Sequence, residues 1–154
     1  MSQRDTMYSD TYTHLPDPQR QYAFYEGVTV KRGLAWVIDF IIVAAMMVPI
    51  LIFTVFVAAF FLPLLFAIVS FIYRVLTIGS GSATWGMRMM AIEFRNAQGH
   101  RFDLSQAFLH TLGYTISLSV FPLQIISVVM MFMTERGQGL TDMVMGTVAL
   151  NRRA

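Results

Sequence analysis

From Leu34 to Tyr73 the chain runs for 40 residues with a single charged side chain, Asp39. A helix that crosses a bilayer needs about 20 apolar residues. The run therefore predicts two spans, at about 34–55 and 59–78, joined near Phe56–Phe60 with almost no loop. One unbroken helix of this length would reach about 60 Å, twice the thickness of the hydrocarbon layer. The turn belongs at a membrane boundary, because irregular backbone facing lipid leaves polar groups unsatisfied. The rest of the composition agrees. Charged residues are 13% of the chain and mean hydropathy is +0.58, against about 25% charge in an average soluble domain. Disorder is excluded, and a water-soluble globule is disfavoured. Cysteine is absent, which removes disulfides, thiol catalysis and Cys-based metal sites. A net charge of +2 gives no footing for a nucleic-acid binder.

A second run, Leu104–Met133, has 30 residues without Asp, Glu, Lys or Arg, but it is more polar and contains Pro122. It either crosses once or breaks at Phe121-Pro122 and returns as a re-entrant pair. All 11 basic residues lie in 1–33, 74–103 and 134–154. By the positive-inside rule the amino terminus and the 74–103 segment are expected in the cytoplasm, with the returning form favoured if the tail is there too. The polar residues before the first run, with no small-residue cleavage site, predict an uncleaved anchor.

Residues 1–22 are polar, with Pro16 and Pro18, and are expected to form a flexible tail; 23–154 would form one membrane domain. Ala23–Lys31 reads as an extended segment along the headgroups. Gly79–Thr84 is a Gly/Ser-rich connector, and Trp85 suits the interface. Met87–Arg95 has a partly alternating pattern; 96–99 reads as a turn, after which His100–Phe102 returns. Asp103 or Ser105 is placed to cap the next helix. Gly146–Asn151 predicts a short strand, and pairing it with Met90–Phe94 requires both on one membrane face. The fold class expected is a mainly α membrane protein: a helical hairpin, a broken or single-span second segment, and a short cytoplasmic β-rich element.

Asp39 lies inside the first predicted span. An Asp at a helix centre costs about 2.5–3.5 kcal/mol to insert, so a partner or a function is required. Arg32 precedes it by seven positions, on nearly the same helix face but about 10 Å away. A bridging group is therefore needed, and Asp142 is the candidate. An Arg between two carboxylates keeps both ionised. One reading makes Arg32, Asp39 and Asp142 a clamp between tail and first helix. The other makes Asp39 part of a polar path that binds or relays a cation or proton. The 12 methionines read as apolar packing more readily than as soft-metal ligands. His14, His100 and His110 have no ligand spacing, and no nucleophile–base pair stands out. Neither an enzyme nor a cofactor is expected.

Three motifs carry a resemblance. Lys31-Arg32-Gly33-Leu34-Ala35-Trp36-Val37-Ile38-Asp39 resembles the opening signature of the RDD family of small bacterial membrane proteins. Gly81-Ser82-Ala83-Thr84-Trp85-Gly86-Met87-Arg88 resembles that family's central Gly-x-x-Thr-x-Gly-x-Arg stretch. Gln138-Gly139-Leu140-Thr141-Asp142, followed by Gly146-Thr147-Val148, resembles its closing motif. The similarity runs from about residue 28 to 152. It implies that Arg32, Asp39 and Asp142 are the family's one arginine and two aspartates, with Thr84, Gly86, Arg88 and His110 as secondary candidates. Thr141 stands where the family often has His, and His110 where a basic residue is common. The resemblance implies a small inner-membrane protein with cation or proton transport as the expected activity; because three or four membrane segments can scarcely enclose a pathway alone, a transporter or channel-like oligomer using Asp39 is expected. The alternative is an accessory or assembly subunit packed, through its aromatic and Met-rich faces, in a larger complex.

Overall fold

A computed structural model describes residues 15–55 and 57–152. Helix α1 spans Val28–Phe53 and α2 spans Leu62–Gly81, with a 3-10 turn at Val57–Phe61 between them. Both are long and apolar enough to cross a membrane. Apart from Leu104–Met133, treated below, no other described helix is. α1 starts earlier than the apolar run alone suggests. Gly27, with a φ of 67°, turns the chain into it, and the expected extended segment is a 3-10 turn, Tyr22–Phe24, followed by helix. Its buried residues Val28, Ala35, Asp39, Val43 and Met47 form one stripe at helical spacing. At the other end, α2 runs on through the Gly/Ser connector to Gly81.

Beyond α2 come a short helix α3 (Trp85–Met89) and strand β1 (Ile92–Arg95), so only the second half of Met87–Arg95 is strand. Then follow α4 (Leu104–Ser119), α5 (Phe121–Met133), α6 (Leu140–Met145) and β2 (Val148–Asn151). β1 and β2 pair antiparallel, from Ile92 opposite Asn151 to Arg95 opposite Val148. The tail strand thus takes the place beside β1, while His100–Phe102 is not strand. That pairing decides the second apolar run. Its two ends are tied to neighbouring strands, so the run doubles back. α4 and α5 turn through 116° about Val120, which ends one helix and begins the next, with Pro122 in the first turn of α5. Proline suits that position because its missing N–H would be unsatisfied there anyway. Asp103 caps α4: its carboxylate accepts from Gln106 N at 2.8 Å, and the Gln106 side-chain oxygen accepts from Asp103 N.

The core lies where the sheet meets the helix ends. Ala35, Ile78, Ala83, Met87, Ile92, Phe94 and Ala107 are buried there, and Phe94 stacks on Phe102 and against His110. Ser82 ends α2 at a φ of 58°. Its hydroxyl donates to Phe94 O at 2.6 Å and accepts from Phe102 N, which ties α2 to β1. The buried Glu93 is matched by Arg95, Arg101 and Arg152. Of the expected tail, residues 1–14 lie outside the described residues. Leu15 is buried with Val148 and Leu150, and Tyr25 donates to Pro16 O, so the part after residue 14 packs on the sheet.

Candidate functional site

Two buried carboxylates organise the domain, each in its own set of partners. Asp142 is in the first turn of α6. Its Oδ2 takes Arg32 at 2.6 Å and Gly139 N at 3.0 Å. Its Oδ1 takes His110 Nε2 at 2.8 Å and the Thr147 hydroxyl at 2.9 Å. Arg32 also donates to Gly137 O and lies over the Phe94 ring. α1, α4, α6 and the residue just before β2 thus meet on one carboxylate. Burial alone would raise the Asp142 carboxyl, but the Arg32 charge and the His110 N–H outweigh it and hold the group well below the usual carboxylate range.

Asp39 is held elsewhere. Its Oδ1 accepts from the Tyr73 hydroxyl at 2.7 Å and from Gly86 N at 2.8 Å, and its Oδ2 from the Thr84 hydroxyl at 2.6 Å. Thr84 is the N-cap of α3, and its oxygen also accepts from Met87 N. The geometry therefore differs from one arginine set between two acids. Arg32 serves Asp142, and Asp39 fastens α1 to α2 and α3. Asp39 lies too high on α1 for Arg32 to reach it, whereas the α2–α3 corner brings three donors to it. Gly86 is required by this approach: a Cβ there would stand 2.3 Å from Ala35 O and 2.7 Å from Asp39 Oδ1.

The secondary candidates separate accordingly. Thr84 and Gly86 bind Asp39, and His110 binds Asp142. Arg88 belongs to neither set. It donates to Ala83 O at 3.2 Å and Thr77 O at 3.0 Å, which satisfies carbonyls at the end of α2. Sequence reasoning passed over Tyr73, Thr147 and Arg74. Tyr73-Arg74 marks the end of the long apolar run, and a polar pair at that depth is the signal that could have found them.

Between α1, α2, α4 and α5 lies a cavity of about 410 Å³ whose lining includes Arg32, Asp39, Arg74, His110 and Asp142. Asp39 has three donors and Asp142 four, and Arg32 is paired. Arg74 differs. It is 9% exposed, and its guanidinium lies 4.1 Å from the centre of the Tyr114 ring. Among the described residues its Nε has no hydrogen-bond partner. No group of three or more metal-binding side chains occurs among the described residues.

Comparison with curated proteins gives no match, and none of the solved structures matches either. The model of the RDD family matches residues 27–146. That range holds the Arg32–Asp142 pair, the Asp39 lock and both apolar segments, so the chain is a membrane protein that belongs to the RDD family.

Proposed function

We propose that this is a small multi-pass protein of the bacterial inner membrane, with its amino terminus in the cytoplasm, that moves a charged solute through its cavity as an oligomer. The observation that supports this reading is the 410 Å³ cavity with charged walls, beside a membrane helix broken at Val120. Ionisable groups at membrane depth are costly and usually mark a solute path. Interrupted helices are common around such sites in transporters. Two spans and one returning pair are too few to enclose a path, which is the reason for an oligomer. The orientation follows from the basic residues: Lys31 and Arg32 at the start of α1, Arg88 in α3 and Arg95 in β1 lie at the sheet end of the two spans, while residues 54–61 between the spans include no basic residue.

In this reading Asp39 and Asp142 are framework, not carriers, because their oxygens are already occupied by the protein's own donors. The alternative, an accessory subunit, is the reading left if nothing moves. The test is reconstitution of the full chain in proteoliposomes with a trapped pH dye under sodium, potassium and phosphate gradients, and with a head-labelled lipid to follow exchange between leaflets. Movement in at least one assay is expected, and movement in none overturns transport. Asp39→Asn keeps two acceptor bonds and is expected to hold the rate within about threefold, under 1 kcal/mol. A folded Asp39→Asn protein without flux would make Asp39 the carrier after all.

A further inference from the structure

We propose that the cavity takes a lipid-like anion, the headgroup of an anionic phospholipid from the leaflet on the sheet side, with its phosphate on Arg74 and its chain running toward the membrane middle. This rests on the reading of the cavity as a ligand site, though not on that ligand being transported.

Three observations converge. The first is the unmet donors. Arg74 is buried, and its Nε lacks a partner among the described residues. The face of Tyr114 offers a cation–π contact but accepts none of the guanidinium's in-plane N–H bonds. Gln124, on the same wall, accepts from Ser117 through its oxygen, which leaves its amide protons to give. Tyr114 accepts from Trp36 and keeps its own hydroxyl proton. Asp142 accepts four hydrogen bonds and Asp39 three, and His110 Nδ1 on the same lining has no partner among the described residues; the open charged group is Arg74, whose complement is an oxyanion. Arg with a planar donor fork is the side chain that phosphate and carboxylate recognition uses.

The second is the rim. The exposed residues of the lining are Gly33, Trp36, Leu118 and Val128, while Asp39, Arg74, His110, Ser127 and Asp142 are buried. An apolar rim on membrane-embedded helices gives access from lipid, not only from water.

The third is a neighbouring cavity of about 150 Å³ that shares Asp39, Arg74 and Tyr114 with the first and continues past Phe40, Val43 and Phe66. Phe40 and Val43 lie further along α1 than Arg32, and Phe66 lies further from the Gly81 end of α2 than Arg74. The second cavity therefore leads from the charged chamber toward the bilayer middle, the direction in which the chain of a lipid points. Arg74 is about 10 Å from the Gly81 end of α2, so the headgroup would be drawn inward to a charged group set in mostly apolar walls.

The test is native mass spectrometry of the full chain released from mixed micelles of phosphatidylglycerol and phosphatidylcholine, with thermal unfolding as the check on folding. One phosphatidylglycerol per chain is expected. Arg74→Gln should lower that adduct at least tenfold, while Arg152→Gln, on the sheet, leaves it unchanged. Gly33→Leu should lower it severalfold without touching Arg74; a Cβ at Gly33 meets nothing within 4 Å, so this variant is the one expected to keep its unfolding midpoint if Arg74→Gln does not. Equal retention of the two lipids, an unchanged adduct in Gly33→Leu, or displacement of the lipid by millimolar inorganic phosphate would each overturn the proposal. A retained adduct without movement in proteoliposomes sinks transport alone. Movement by the unsubstituted chain with no phosphatidylglycerol adduct sinks this inference alone.

Discussion

Asp142→Asn is expected to destabilise the protein by about 3–5 kcal/mol, because it removes the charge that compensates a nearly buried Arg32. The bond at stake is 2.6 Å long, and Asp142 is 1% exposed. In detergent this would lower the unfolding midpoint by roughly 10 °C for a chain of this size. The cost comes mainly from leaving the guanidinium without its counter-charge, so Arg32→Met combined with Asp142→Asn should be more stable than Asp142→Asn alone. Strictly additive losses in that cycle would show that the two residues do not act as a pair. The pH dependence gives a separate check. The Asp142 carboxyl is depressed in the folded state, so the unfolded chain takes up its proton first as pH falls. Its stabilisation is present above the ordinary Asp value of about 3.9 and is lost as pH falls through the lower folded one. Between pH 8 and 5 this residue should contribute no slope. A loss of stability in that window that disappears in Asp142→Asn would contradict an ionised pair.

Gly86→Ala should be similarly damaging, at about 3–5 kcal/mol, by a different route. The new methyl would meet the Ala35 carbonyl at 2.3 Å, and a carbonyl inside α1 cannot rotate away. Forcing α3 off α1 costs about 1–3 kcal/mol in overpacking, and the Gly86 N–H bond to Asp39, worth about 1.5–3 kcal/mol to a charged acceptor, is stretched or lost. Gly33→Ala is the paired control. It faces open space on α1 and should stabilise by up to about 1 kcal/mol through helix propensity. Unfolding midpoints of both variants, measured in one detergent, decide the matter. Equal behaviour would mean that the α1–α3 contact is looser than the geometry requires.

Much of the architecture was legible because the bilayer turns it into a problem of length and polarity. Forty residues with one charge admit a hairpin and little else. Pro122 announced the break in the second run, and Asp103 before an apolar stretch announced a cap. The strand at the tail was legible from its pattern; its pairing with β1 was legible only as a possibility that would favour the returning form of Leu104–Met133, and the structure has that pairing. The short helix α3 was not, since Thr84 caps it only once its hydroxyl has Met87 N to accept from. Asp39 was found as an anomaly, but its partners were misassigned. Helical periodicity pointed to Arg32, on the same helix, and could not weigh that against donors 34 to 47 positions away.

Hydropathy and charge distribution along the chain determined the membrane setting and the hairpin, since lipid penalises each unpaired polar group whatever its neighbours are; proline placement left the second segment open between crossing once and returning, and the β1–β2 pairing decided it. Which acid met which donor was decided only by tertiary structure. Arg32 and Asp142 are 110 positions apart and become partners because the β1–β2 pairing carries the tail back beneath α1. Arg74 was left with open donors because α4 brought it an aromatic face and no carboxylate within bonding reach. Such outcomes depend on distances of a few ångströms between docked elements, to which a one-dimensional pattern is blind.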